Sequence, residues 1–360
     1  MREKILQAIR KNEIQTYSVT EKTTEGAELY FIKKDLDMRR MKKDAYSEVT
    51  IYRDFEMDGK KMRGSADINI FPEMTQEEVD KAVSGAFYAA SFVKNPYFEI
   101  PKGTKEDKVE VESTLCGKSL EEIGDAFVKA LYCVDVHEDA FINTAEFFMD
   151  KTWTAIYNSE GVDVSYEKNS VRGEFVVQCI TPQDVEQYQE FAYDDLDTEA
   201  LTRQAEEALA RVRDRANATE APEKGNYKLL LSGKELRQLM DFYMRRSSSG
   251  MIYPGYSNYK MGMNVQGDEV RGEKLNLTLH ASTPYSTEGI PMKDLELLKE
   301  GELKAIPGNA RFAYYLGVEP TGNYSAVKLD NGTKAFEEMK QDAYLYVVSF
   351  SDFSMDSFSG

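Results

Sequence analysis

Apolar residues recur along this chain with two periods, and the switch between them marks its elements. Leu6, Ile9 and Ile14 are spaced for one face of an opening helix. Segments 28–32 (ELYFI), 48–52 (EVTIY) and 66–70 (ADINI) are rich in β-branched and aromatic residues or alternate strictly, which predicts three strands. Thr75-Gln76-Glu77-Glu78 predicts a helix start in which the Thr hydroxyl accepts from the third helical amide and Glu78 reaches back to the cap. The stripe Val79, Val83, Phe87 and Ala90 follows, and Asn95-Pro96 marks the end.

The same device recurs at Ser119-Leu120-Glu121-Glu122, ahead of Ile123, Phe127 and Ala130. Segments 153–157 and 162–166 predict strands around Asn158-Ser159-Glu160-Gly161, whose Asn and Gly supply turn chemistry. A further strand is expected over 173–180. A helix over 198–217 places Leu201, Ala205, Ala208, Leu209 and Val212 on its apolar side, and the polar run 217–225 reads as a linker. A strand at 227–231 leads into a third capping box, Ser232-Gly233-Lys234-Glu235, and a helix carrying Leu236, Leu239, Met240 and Tyr243. Beyond Arg246 short alternating pieces such as 275–279 and 343–350 are separated by Gly, Asn and Pro turns, which predicts an antiparallel barrel or sandwich. The expected fold class is therefore α+β. N-terminal α/β regions with antiparallel strands and capped helices span 1–107 and 108–222, and a β-rich C-terminal domain spans 223–360.

Charge removes one class of partner. Forty-five Lys and Arg stand against 63 Asp and Glu, a net charge of −18 that repels a phosphate backbone, so no direct nucleic-acid binding is expected. The opening MREKILQAIRKNE lacks the apolar core of a signal peptide, and no run of 18 or more apolar residues occurs, so no membrane contact is expected. Cys116, Cys133 and Cys179 are odd in number and form no C-x-x-C pair, which fits a reducing cytoplasm.

Candidate chemistry is sparse. The only histidines, His137 and His280, lie far apart, and His137-Glu138-Asp139-Ala140-Phe141-Ile142 completes neither the HExxH nor the HExxxH spacing. His137 reads as a surface residue among acids, or else as a lone ligand shared with another chain. His280, ending an alternating strand, reads as a satisfied edge residue. Asp194-Asp195 and Glu206-Glu207 are adjacent pairs, which on a helix point apart rather than at one substrate. No nucleophile elbow, P-loop or dinucleotide fingerprint occurs, so no catalytic residue and no metal ligand is assigned. The 22 tyrosines suit half-buried strands, and a Tyr-lined sheet can also hold an extended peptide.

Several segments, taken in order, resemble the TldD/PmbA family, which is metallopeptidase-related and also known as the modulator of DNA gyrase family. Residues 52–101, with Asp58-Gly59-Lys60, Arg63-Gly64-Ser65-Ala66 and Phe92-Val93-Lys94-Asn95, resemble its first region, and Asn158-Ser159-Glu160-Gly161 resembles the Asn-Ser-x-Gly turn of the second. The run Gly262 to Leu275, the segment Gly317-Val318-Glu319-Pro320-Thr321-Gly322-Asn323 and the closing Met355 to Gly360 resemble parts of the third. The family's catalytic members carry a His-Glu-x-x-x-His zinc helix, expected here at 236–246. That stretch holds no His, no Cys and one carboxylate, Asp241, whereas a zinc site needs about three or four N, S or carboxylate ligands.

The resemblance thus implies the PmbA (TldE-like) subunit of a bacterial cytoplasmic metallopeptidase. It implies no cofactor in this chain, zinc only in a TldD-like partner, and a heterodimer with that zinc-bearing subunit or self-association. Unfolded peptides or small proteins would be the substrate, and Asn158, Ser159, Glu160, Gly161, Thr321, Gly322 and Asn323 are candidate groove residues. Any effect on gyrase would run through proteins. The alternative is a non-enzymatic peptide-binding or scaffold protein that retains the fold. Family members continue with further strands beyond the point that matches Gly360, so the resemblance also implies a chain cut short.

Overall fold

Strands dominate the N-terminal half because runs of Thr, Val, Tyr and Ile extend well past the short segments that alternate most cleanly. The computed structural model describes residues 1–106, 109–342, 345–350, 353–356 and 358. Helix α1 (Arg2–Lys11) precedes a meander of β1 (Thr16–Ile32), β2 (Asp35–Met57) and β3 (Lys60–Ile70). Helix α2 (Gln76–Ala90) and the short β4 (Asn95–Pro96) and β5 (Val109–Glu110) lead to α3 (Leu120–Tyr132). A second meander, β6 (Ala140–Asn158), β7 (Asp163–Cys179) and β8 (Val185–Tyr193), is closed by α4 (Thr198–Ala216). All eight strands join one sheet in the order β4-β3-β2-β1-β6-β7-β5, with β8 also on β7.

The register of β1 decides what each face of this sheet does. Val19 lies opposite Val49 and Tyr157, and Thr20 lies opposite Glu48 and Ile156. With a side-chain period of two, Val19, Ala27 and Leu29 share one face. That face carries all four helices. Ile5 and Ile9 of α1 and Val79 and Val83 of α2 pack on Val19, Val49, Ile51 and Ile70. Ile123 and Phe127 of α3 and Leu201 and Leu209 of α4 pack on Leu29, Phe147, Met149 and Phe175. The opposite face meets the C-terminal region through Ile156, Val164 and Tyr285.

The C-terminal region contains β9 (Leu229–Leu231), α5 (Gly233–Arg246), α6 (Ser249–Ile252), β10 (Leu277–His280), β11 (Leu295–Lys299), β12 (Glu302–Leu303), α7 (Ala310–Leu316), β13 (Ala326–Leu329), α8 (Phe336–Asp342) and β14 (Leu345–Val347). The strands form an antiparallel sheet β12-β11-β10-β13 and a parallel pair β14-β9. Leu277, Leu279, Leu297, Leu298 and Leu303 are buried with Met240 of α5. The α+β class is therefore observed, with an antiparallel C-terminal sheet but no closed barrel among the described residues.

Several local expectations need correction. The strands expected at 162–166 and 173–180 are one continuous strand, β7, and β8 was not anticipated because its sequence VEQYQEFAY is mostly polar and its outward residues lie at the sheet edge. The helix expected to end at Asn95-Pro96 stops at Ala90, and Asn95-Pro96 pairs with β3 instead. Of the strand expected over 343–350 only 345–347 is strand; Ala343 and Tyr344 lie outside the described residues, as do Lys108 and Ser357, Ser359 and Gly360 of the closing motif.

Two of the three capping boxes form. Glu78 N donates to Thr75 Oγ1 at 3.3 Å and Thr75 N to Glu78 Oε2 at 2.8 Å; the same pair at Ser119 and Glu122 measures 3.1 and 2.8 Å. The third does not. Gly233 enters α5 at φ +60°, Ser232 Oγ lies 2.8 Å from the Tyr346 hydroxyl, and Glu235 Oε1 accepts from Phe350 N at 3.3 Å. Thr75→Ala and Ser119→Ala are accordingly expected to lower stability by about 1 kcal/mol each, and Ser232→Ala by clearly less. Denaturant titration of the three variants checks this, and an equal loss at Ser232 would contradict the assignment.

Candidate functional site

The two stretches singled out from sequence, 158–161 and 321–323, lie on either side of the loop joining β10 to β11. Within that loop Ser286 N donates to Ile290 O at 2.9 Å and Met292 N to Pro284 O at 2.8 Å, and Ser286 Oγ accepts from the amides of Glu288 and Ile290. Gly289, at φ +76°, presses on the hairpin side: a Cβ there would come within 2.4 Å of Val162 Cγ1. Gly322, at φ +77°, presses from the other side, where a Cβ would come within 2.7 Å of Ser286 Cβ. Thr20 Oγ1 of β1 donates to Thr287 O at 3.2 Å.

Most polar atoms of the two turns are engaged in holding them. Asn158 Oδ1 accepts from Glu160 N at 2.9 Å and Val162 N at 3.1 Å, and Asn158 Nδ2 donates to Pro101 O at 2.8 Å. Ser159 exchanges bonds with Tyr17, Glu160 O accepts from Gly103 N, and Gly161 sits at φ +94°. Thr321 and Gly322 amides both donate to Gly308 O, and Gly308 N donates back to Thr321 Oγ1 at 3.2 Å. Asn323 is different. It is exposed and lines a cavity of about 260 Å³ together with Tyr324, Pro307 and the end of α5.

Helix α5 occupies the place where a zinc helix was expected. It offers no imidazole or thiolate, and Asp241 has its carboxyl pushed upward by burial, against the pull of Arg237 and Arg245. Glu235 is buried and accepts from a backbone amide. These residues do not fit a zinc ion, and no three His, Cys, Asp or Glu side chains gather anywhere among the described residues. His137 is exposed, with Nε2 3.3 Å from Arg213 Nη2. His280 Nδ1 lies 2.8 Å from Asp294 Oδ1, so the ring has a partner, but β10 lies between β11 and β13 rather than at the sheet edge expected of it. Asp194 and Asp195 sit before α4 rather than on a helix, and serve different partners, Lys168 and Thr114.

A second junction was not anticipated. Arg63 is only 4% exposed; its Nε and Nη2 donate to the two Asp54 oxygens at 2.7 and 2.9 Å, and its Nη1 donates to Phe98 O at 2.7 Å. Burial works against the Asp54 charge, yet the bonds and charge of Arg63 hold its carboxyl below the usual range. The guanidinium also lies 4.5 Å over the Tyr97 ring. Gly64 lets β3 touch the end of α2, since a Cβ would stand 1.8 Å from Ala90 O. Helix α7 closes the same corner: Arg311 Nη2 donates to Asn95 Oδ1 at 2.7 Å and the Tyr315 hydroxyl to Pro96 O at 2.5 Å. The signal available in sequence was an Arg-Gly pair inside an otherwise alternating strand.

Residues 224–360 match the family model of the PmbA/TldA metallopeptidase C-terminal domain. Over those residues the chain resembles the C-terminal domain of the TldD/PmbA family. Its fold is similar to that of TldE from Thermococcus kodakarensis, with TM-score 0.71 and 15% identity over 94% of this chain and 80% of that one. It is similar also to a protein described as a candidate modulator of a DNA gyrase from Thermotoga maritima, with TM-score 0.71 and 20% identity over 94% and 78%. A counterpart so described from Bacteroides thetaiotaomicron gives TM-score 0.76 and 12% identity over 100% and 84%. At these identities the likeness is one of fold. No curated protein matches by sequence.

The Asp294 site has a testable pH signature. An accepted bond from Ala281 N, opposed by burial and reinforced by His280 and Lys328, brings its pKa to about 2. A carboxylate depressed in the folded state contributes stability above its unfolded pKa of about 3.9 and loses it as pH falls further. Asp294→Asn is expected to narrow the stability gap to wild type as pH drops from about 4 to about 2, with a small amplitude because the side chain is half exposed. Thermal melts across that window check this; a constant gap would contradict it.

Proposed function

We propose that the chain is the TldE-like, metal-free subunit of a bacterial, cytoplasmic TldD/TldE-type metallopeptidase that acts on unfolded peptides or small proteins. One observation carries the reading: a TldE-like fold whose α5 supplies neither imidazole nor thiolate. Zinc in a TldD-like partner would polarise the scissile carbonyl and activate water. The part left to this chain is to pair with that subunit and to shape the groove, with the turns at Asn158 to Gly161 and Thr321 to Asn323 as its walls. The positions of both turns against the loop after β10 support that role, because the contacts fix them relative to one another.

The test uses metal and activity together. After dialysis the purified chain is expected to hold no stoichiometric zinc by elemental analysis, and to leave unfolded peptides uncut. With a TldD-like subunit it is expected to support cleavage that a chelator abolishes and that His137→Ala leaves unchanged. About one tightly bound zinc per chain would overturn the reading. Loss of the joint activity in a folded His137→Ala variant would instead make His137 a ligand shared across the subunits.

A further inference from the structure

We propose that the cavity at the end of α5 holds the last residue of a peptide, with the α-carboxylate on Arg245 and the apolar side chain among Met244, Met251 and Pro307. This rests on the peptide-handling role proposed above and adds a site and a chemical preference to it. The lining divides by chemistry. Met244, Met251, Pro307 and the Tyr324 ring are apolar; Arg245, Ser248 and Asn323 are polar. Two polar groups at the cavity are already spent, since Ser248 Oγ donates to Arg245 O and the Tyr324 hydroxyl to Lys293 O, each at 2.8 Å. The Arg245 guanidinium and the Asn323 amide are left.

Arg245, exposed at the end of α5, differs from several arginines that are held by partners. Arg63 is paired with Asp54, Arg311 with Asn95, and Arg246 with Asn258 and the Phe358 carbonyl. Among the described residues, Arg245 makes no ion pair and no side-chain hydrogen bond. Asp241, one turn back, feels its charge without pairing to it. In a chain with a net charge of −18, an unpaired guanidinium beside an apolar hollow selects an anion attached to an apolar group. The planar fork of Arg matches the two oxygens of a carboxylate.

Size and surroundings narrow the occupant. A volume of about 260 Å³ lies below the usual range for small-molecule sites of about 300–1,000 Å³ and suits one residue rather than an extended segment. Methionine flexibility lets the hollow accept more than one apolar side chain. The C-terminal end of a helix disfavours an anion. Here that opposition is reduced in part, because two carbonyls of the last turn of α5 are engaged: Tyr243 O accepts from Ser247 N and Oγ, and Arg245 O from Ser248 N and Oγ. A peptide amino terminus, by contrast, would meet the Arg245 charge directly.

Fluorescence anisotropy on the full chain tests the site, using an N-terminally fluorescein-labelled Gly-Ser-Gly-Ser-Gly-Leu with a free carboxylate, its C-terminal amide, and an amide ending in Glu. The free acid is expected to bind at least about tenfold more tightly than either amide, the value of a charged hydrogen-bonded pair. Arg245→Gln is expected to remove the discrimination and Arg245→Lys to retain part of it, with thermal melts confirming both folds. Equal affinity for acid and amide, no binding of any peptide, tightest binding of the Glu amide, or unchanged discrimination in Arg245→Gln would each overturn the proposal. A chain that fails here yet supports chelator-sensitive cleavage with a TldD-like subunit loses only this site. One that passes here and fails there loses the subunit role.

Discussion

The pairing of β1 with β2 on one side and β6 on the other is the constraint on which the rest of the molecule depends. Residues 16–32 of β1 are matched to β2 from position 52 downward, and residues 18–32 to β6 from position 158 downward. A slip of one residue would turn Val19, Ala27 and Leu29 away from the helices and present Glu28 and Thr20 to two apolar cores. The register is held from both faces. Apolar side chains of α1 to α4 fix one, and Tyr285, Thr287 and Gly289 of the C-terminal loop meet the other at Val162, Ile156 and Thr20. Sheet alignment therefore also places the C-terminal region, α5 and the cavity at its end.

Local chemistry was legible in the sequence where it acts over a few residues. Thr75 and Ser119 form the capping boxes their spacing predicts, and Asn158 to Gly161 form the turn that Asn and Gly chemistry allows. The content of α5, free of His and Cys, was readable outright. Strand length was not, because β1, β2, β6 and β7 run on through Thr, Lys and Glu positions whose strand character comes from neighbours on both sides. The third capping box failed for a tertiary reason: Ser232 and Glu235 found partners more than 100 positions away, in Tyr346 and Phe350.

The candidate site shows the same division. Each turn could be recognised singly, yet nothing in the sequence says that Gly289 meets Val162 or that Gly322 meets Ser286, since both contacts depend on where the C-terminal loop lands on the sheet. The corner built by Arg63, Asn95, Pro96, Arg311 and Tyr315 was hidden for the same reason, joining segments more than 200 residues apart. Nor could the free Arg245 be told from its neighbour Arg246 by sequence. In the fold Arg246 reaches Asn258 and the Phe358 carbonyl, whereas Arg245 lines the cavity.

At α5, a match of residues 224–360 to the C-terminal domain of the PmbA/TldA metallopeptidases coincides with a helix that offers no imidazole or thiolate. On the function proposed above, this chain takes part in a peptidase only beside a partner that supplies the metal. Native mass spectrometry of the tagged full chain, co-expressed with a TldD-like chain carrying His-Glu-x-x-x-His, tests that claim most directly. The account predicts a complex of both chains that retains zinc, and loss of the zinc but not of this chain when the partner's histidines are replaced. Recovery of this chain alone, or of zinc that stays with it after that replacement, would contradict the account.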